Sequence, residues 1–235
     1  MSTIRLDKLL GRGGMTRAEA RKCVSAGRVT VNGSVARDAG MKVGPDAVML
    51  DGKPLDAPEF VYIMLDKPDG IVTATEDARW QTVLELLPEP LRRRDLGPVG
   101  RLDRDVTGLV LLTDDGQLAH RLIAPKTKAE KVYLARCEGA LTEGDIAQFA
   151  SGLALSDFTA KPARLEILES GETSTARVTL TEGKFHQVKR MFQAIGHPLQ
   201  SLRRLSIGGV AIDDALGEGG WRKLTPEEIA LLKER

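Results

Sequence analysis

The sequence predicts an α+β protein. A small N-terminal domain is joined to a larger body built on a mixed, mainly antiparallel sheet flanked by helices. Three observations carry that expectation. Candidate strands outnumber candidate helices. Several strands are hairpin-spaced instead of being separated by helices, which argues against a βαβ array. Residues 1–53 carry 10 Lys and Arg against 5 Asp and Glu, a balance of +5, while the remainder carries 24 against 28, a balance of −4. The net charge of +1 therefore hides a basic module fused to a near-neutral body. Either those basic residues form a solvated face, or the module holds an anionic partner while the body does chemistry.

The elements follow in order. Thr16-Arg17-Ala18-Glu19 has the spacing of a capping box and opens a helix that runs to about Ala26 and stops at Gly27. Ala20, Cys23 and Val24 line its inner face, and Arg17 and Arg21 share an outer stripe. Arg28 to Gly33 reads as a short strand and a tight turn, and Val48-Met49-Leu50 as another strand. Gly52 to Phe60 holds two prolines and no periodicity. Residues 54–60 are read as a linker between a domain at 1–53 and a second at 61–235. In the body, Val61 to Leu65 is a strand closed by the turn Asp66-Lys67-Pro68-Asp69-Gly70, and Gln81 to Leu87 is a short helix stopped by Pro88. Leu109 to Leu112 reads as a buried strand, and Lys131 to Arg136 alternates like a half-buried one. Thr142 caps a helix ended by Gly152. Arg164 to Leu168 and Ala176 to Leu180 are strands, and Thr225-Pro226-Glu227-Glu228 opens a last helix with proline in its first turn.

Composition excludes several classes. Hydrophobic residues make up 42% and charged residues 29%, the balance of a soluble globular chain. No apolar run reaches the roughly 20 residues of a membrane span. The start MSTIRLDKLL lacks an apolar signal core, so a cytoplasmic location is expected. Cys23 and Cys137 belong to no CxxC pair and are read as reduced thiols, and His120, His186 and His197 show no ligand spacing. No metal or cofactor is expected, and no exposed apolar stripe calls for a partner chain, so a monomer is expected.

Chemistry concentrates in GPVGRLDRDVTGLVLLTDDG, residues 97–116, where Arg101, Asp103, Arg104 and Asp105 crowd the entrance to a buried strand. A carboxylate at that position either caps a turn or, partly desolvated and held ionised by a cation, is a nucleophile. An Asp103–Asp105 acid–base pair is disfavoured, because in a turn the two diverge. Further on, Phe185, Val188, Phe192 and Ile195 fall on one helical stripe bordered by Lys189. The Lys189 stem must run along buried surface. Its ammonium either snorkels to water or meets a carboxylate at a pocket edge, for which Asp103 is the candidate.

These residues carry a resemblance. VGRLDRDVTGLVLLTDDG resembles the signature of RNA pseudouridine synthases, in the branch related to the small-subunit ribosomal RNA enzyme (RsuA-like). IRLDKLL, the capped basic helix and GRVTVNG resemble an S-four-type RNA-binding domain. MLDKPDG, EKVYL, EGKFHQVKRMF, LRRLSIGGV and LTPEEI appear in that family's order. The resemblance implies a pseudouridine synthase fold, with Asp103 as the catalytic aspartate and Tyr133 as the tyrosine packed against the target base. It puts Lys189 where relatives place an arginine that supports the aspartate, and Leu202 and Arg204 near the base pocket. Two positions depart from the pattern: Val106 stands where a threonine is common, and lysine replaces arginine at 189. The second loses the bidentate fork and shifts orientation of the aspartate toward Arg101 or Arg104.

The implied reaction cuts the uridine C1′–N1 bond, turns the uracil and rejoins it through C5, in 16S ribosomal RNA or an assembling small-subunit particle. Base flipping is required and stacking on Tyr133 offsets part of its cost. Arg101, Arg104 and Lys67 would contact RNA beside the flipped nucleotide, while Arg5, Arg17, Arg21 and Arg28 anchor it through phosphates. Large-subunit ribosomal RNA or transfer RNA as substrate, or a non-enzymatic RNA-binding assembly factor, are the competing readings.

Overall fold

A computed structural model of the 235-residue chain describes residues 4–44, 48–58, 60–92, 95–124 and 126–234. It divides into two compact units, residues 1–61 with 87–96, and residues 62–86 with 97–235.

The first unit runs β1 (Ile4–Arg5), α1 (Leu6–Arg12), α2 (Arg17–Ser25), β2 (Val29–Val31), β3 (Ser34–Val35), β4 (Lys42–Val43), β5 (Val48–Leu50) and β6 (Lys53–Pro54). The expected capping box opens α2: Thr16 Oγ1 accepts from the Glu19 N–H at 3.1 Å, and Glu19 Oε2 accepts from the Thr16 N–H at 2.7 Å. Asn32 and Gly33, at φ 49° and 80°, make the primed turn that a right-twisted two-residue hairpin requires between β2 and β3. A second turn of that kind, Asp51-Gly52 at φ 51° and 77°, folds β6 onto β5. Lys53 and Pro54, where domain gives way to expected linker, thus form the edge strand of a sheet ordered β3-β2-β5-β6, the position that tolerates a proline. Leu6, Leu9 and Leu10 of α1 pack with Ala20, Cys23 and Val24 of α2 over Val29, Val43 and Val48.

The second unit opens with β7 (Tyr62–Lys67). Residues 87–96 return to the first unit with α3 (Glu89–Arg92). The second unit resumes with β8 (Gly97–Pro98), β9 (Thr107–Thr113), α4 (Gly116–Ile123), β10 (Lys131–Glu138), α5 (Glu143–Ser151), β11 (Arg164–Glu169) and β12 (Thr173–Leu180). It ends with α6 (Gln187–Ala194), β13 (Leu199–Ile207), β14 (Val210–Ala211), β15 (Trp221–Lys223) and α7 (Pro226–Lys233). Its sheet is ordered β11-β12-β10-β13-β9-β7-β15, with β14 on β13 and β8 on β9. Every pairing in it is antiparallel except β13 with β9. The expected mixed, mainly antiparallel sheet is what forms. Strands β10 and β12 alternate buried and less buried positions, the pattern of a sheet with one face on the core. Central β7 and β9 are buried almost throughout, because side chains cover both faces. On one face Leu118 and Leu122 of α4 and Leu232 of α7 close over Met64, Leu109, Leu111 and Ile207. Each such aliphatic side chain contributes about 2 kcal/mol. Among the described residues no helix is long and apolar enough to cross a membrane.

Two expectations change. Gln81 to Leu87 forms turns, not a helix. The Val83 N–H and the Gln81 C=O are both spent on Val72, at 3.0 Å each, so the local Thr82–Glu85 cap has no helical ladder to start. Phe185 lies before α6 and is 75% exposed, so the buried stripe of that helix is Val188, Met191 and Phe192, with Ile195 at its C-terminal cap.

The parallel junction fixes the chain just after Asp103. Gly108 pairs with Arg204 at φ 96°, and a Cβ built there would stand 2.3 Å from the Arg204 carbonyl oxygen. Gly108→Ala is expected to cost at least ~3 kcal/mol, from the strained φ and the steric clash together. Urea unfolding of the two proteins measures it, and a cost under about 1 kcal/mol would mean the strands need no glycine there.

Candidate functional site

The loop 101–106, between β8 and β9, is pinned by backbone contacts before any side chain acts. The Thr73 hydroxyl donates to the Leu102 carbonyl at 2.9 Å and accepts from the Leu102 N–H at 3.2 Å. The Gly70 N–H and the Lys67 ammonium both donate to the Arg104 carbonyl, at 3.0 and 2.9 Å. The Val106 N–H closes a turn on the Asp103 carbonyl at 3.1 Å. Held this way, the Asp103 side chain is 30% exposed at the wall of an open cleft. Arg101, Tyr133, Leu180, His186, Lys189 and Leu202 line the same cleft.

Lys189 reaches the cleft from α6. Its Nζ lies 3.2 Å from Asp103 Oδ2, and 2.6 and 2.9 Å from the two oxygens of Asp105. The sequence expectation that these distant segments meet is met in the geometry, with one addition: the ammonium is shared, and the shorter contacts go to Asp105. Burial opposes the charge on Lys189, but the hydrogen bonds to Asp105 and Asp103 outweigh it and raise its pKa. Burial likewise works against the Asp105 carboxylate, and the Lys189 hydrogen bond and charge still hold its pKa below the usual value. The turn does not throw Asp105 away from Asp103; a common cation gathers both. His186 Nε2 stands 3.4 Å from the other oxygen of Asp103.

Tyr133 and Leu202 lie on the cleft floor, both buried, on neighbouring strands β10 and β13. Arg204 differs from its expected role. It is 2% exposed and its Nε donates to the Leu109 carbonyl at 2.8 Å. It ties β13 to β9 and does not touch Asp103. Lys67 also differs. It is fully buried, and its ammonium donates to the Pro68 and Arg104 carbonyls at 2.9 Å each. With its ammonium spent on those two carbonyls it braces the Asp103 loop from beneath and is not presented to a phosphate, and desolvation lowers its pKa to about 8. Arg101 is exposed at the cleft wall. The Arg104 guanidinium lies over the Trp80 ring, 4.1 Å from its centroid. Neither arginine forms an ion pair with Asp103; the charged groups beside it are Lys189 and His186.

In the first unit, Arg17 and Arg21 stand exposed on α2. Arg5 is paired with Asp7 through two contacts of 3.0 and 2.7 Å, and Arg28 with Asp51 at 2.8 Å. Cys23 and Cys137 are buried free thiols.

Sequence reasoning missed the Arg203–Asp66 pair, a bidentate contact of 2.9 and 2.8 Å on a buried carboxylate that clamps β13 to the end of β7. It also missed His186. The signal for His186 was available: it lies three residues before Lys189 and just ahead of the helix, so it faces whatever Lys189 faces.

A family profile described as RNA pseudouridylate synthase matches residues 61–194, and one described as S4 domain matches residues 4–49. The "Uncharacterized RNA pseudouridine synthase YtzG" of Bacillus subtilis is 43% identical over 98% of this chain and 99% of its own. "Ribosomal small subunit pseudouridine synthase A" of Escherichia coli is 43% identical over 97% and 99%. The chain belongs to the RNA pseudouridine synthase family. A crystal structure of a pseudouridylate synthase shares 38% identity and a TM-score of 0.70 over 97% of this chain and 99% of that one. Membership in the pseudouridine synthase family makes the chain an isomerase with an N-terminal S4 RNA-binding domain, as the sequence resemblance implied.

Proposed function

We propose that this pseudouridine synthase isomerises one uridine of small-subunit (16S) ribosomal RNA, with Asp103 as the nucleophile or base. The observation that carries the reading is the Asp103 carboxylate. It stands at the wall of a cleft floored by Tyr133 and Leu202 and is flanked by Lys189 at 3.2 Å. A carboxylate beside a cation at the edge of a cleft can attack the ribose or the base, or remove a proton. The C1′–N1 bond breaks, the uracil turns while the Tyr133 and Leu202 side chains retain it, and C1′ bonds to C5. The C5 proton then leaves and N1 gains one, so atoms and electrons balance with no co-reactant. Arg101 at the cleft wall suits a phosphate next to the flipped nucleotide.

The substrate class rests on the relatives named for the small subunit, which align along 97% of the chain. Mapping pseudouridines in both ribosomal RNAs, from cells with and without this protein, tests it. One site lost from 16S RNA is the expected result. A site lost from 23S or transfer RNA would move the substrate, and no lost site would remove the activity.

RNA anchoring falls to Arg17 and Arg21, since Arg5 and Arg28 are already paired with carboxylates. The double variant Arg17→Ala/Arg21→Ala is expected to weaken RNA binding and to flatten the log–log salt slope by about 1.8, two phosphate contacts' worth. Filter binding from 50 to 200 mM salt reads both, and an unchanged slope would take these arginines off the RNA.

A further inference from the structure

His186 is the N-terminal cap of α6 and sits at φ 50°, in the left-handed region. A side chain there carries a backbone strain that glycine would not. The imidazole this backbone presents has its Nε2 3.4 Å from Asp103 Oδ1, while Lys189 approaches Oδ2. The Phe185 ring stacks on the imidazole, with centroids 3.7 Å apart and planes at 20°, although Phe185 itself is 75% exposed. An exposed phenyl ring contributes little to a core. Laid on the imidazole, it limits how that ring can turn. Lys189 alone does not fix Asp103, because its shorter contacts are to Asp105. A second partner on the free oxygen sets the carboxylate plane.

We propose that His186, braced by Phe185, is a positioning residue for the reaction: its Nε2–H engages Asp103 Oδ1 and aims the carboxylate into the cleft. The 3.4 Å separation is longer than a formed hydrogen bond, as catalytic contacts often are before substrate closes the site. The proposal rests on the assigned role of Asp103.

The test is tritium release from a [5-³H]uridine-labelled 16S transcript by the full-length protein, read as kcat and KM. His186→Ala is expected to lower kcat by about 10–100-fold and to change KM by less than ~3-fold, the scale of a misplaced reacting group. Glutamine can extend its amide nitrogen to the place of Nε2, and His186→Gln is expected to recover most of that loss. Asparagine tolerates the left-handed backbone but reaches only the place of Nδ1, and His186→Asn is expected to stay near the alanine variant. Phe185→Ala is expected to lower kcat by a smaller factor. If Asn restores kcat and Gln does not, His186 serves the backbone turn and the proposal is overturned. If His186→Ala raises KM with kcat unchanged, the imidazole contacts RNA, and the proposal is overturned as well. Should the alanine variant fail to fold, the Gln and Asn comparison decides. Asp103→Asn run in parallel separates the two ideas: full activity there removes the role of Asp103 itself. An inactive Asp103→Asn beside an unaffected His186→Ala removes only the positioning role.

Discussion

Asp103→Asn is expected to cut pseudouridine formation by at least ~10³-fold while leaving RNA affinity and fold intact, a scale typical of losing a nucleophile or its base. The substitution keeps the shape of the side chain and one oxygen, so the loop, pinned through Thr73, Lys67 and the Gly70 N–H, has no reason to move. The negative charge is what disappears. Lys189 then keeps Asp105 as its partner, at 2.6 and 2.9 Å, and is not left as an unpaired cation. Stability is therefore expected to change by well under the 3–5 kcal/mol of a broken buried pair. Tritium release, gel shift and thermal unfolding on one preparation separate the terms. Turnover within about tenfold of the parent would show that Asp103 neither attacks nor removes a proton.

Much of this was readable in the sequence, for physical reasons that differ by element. The capping box at Thr16 and Glu19 is a purely local arrangement of two side chains and two backbone groups, so its spacing alone specifies it. The alternation of Lys131 to Glu138 survives because the two faces of that strand meet different media. The segment from Gln81 to Leu87 misled because its decisive partner, Val72, lies ten residues away and leaves no local mark. Lys67 and Arg204 misled for a related reason. Lys67 was expected to face RNA and Arg204 to stand near the base pocket, yet carbonyls of Pro68, Arg104 and Leu109 hold these two cations in buried places. At the site, Lys189 could be paired with Asp103 because both sit at edges of apolar runs. The sharing with Asp105 could not be read, since it depends on the turn at Asp103 and Val106 bringing alternate residues to one cation.

That shared cation makes Lys189→Met the second large effect. Methionine keeps the apolar stem along α6 and deletes only the charge. Asp103 and Asp105 then lose the one cation that contacts both, and keep only the weaker, longer-range attraction of the Lys67 ammonium beneath the loop. Of the partners near them, His186 reaches only Asp103 Oδ1. Two like charges at close range bind a proton more readily than either alone, so the pair takes up a proton at higher pH than in the parent. Activity at pH 7 is expected to fall about 100-fold, and the acid limb of kcat/KM to move upward. Lys189→Arg restores the charge and is expected to return activity to within about tenfold of the parent, since the longer planar head must re-seat on two carboxylates. Stability follows a separate rule. The parent's Asp105 has its pKa lowered in the fold, so its pairing with Lys189 stabilises above the ordinary carboxylate range and that gain is lost as pH falls through the lowered value. The stability gap between parent and Lys189→Met is therefore expected to be full at pH 6–7 and to close below about pH 4. It stays near 1 kcal/mol or less, because the Asp105 side chain is 66% exposed and water screens the pair. A hundredfold loss of turnover beside so small a loss of stability is the signature of a group that acts on charge in the cleft. Equal turnover in the parent and Lys189→Met, with the acid limb unmoved, would leave Asp103 without its electrostatic support and return the ammonium to a surface ion pair with Asp105.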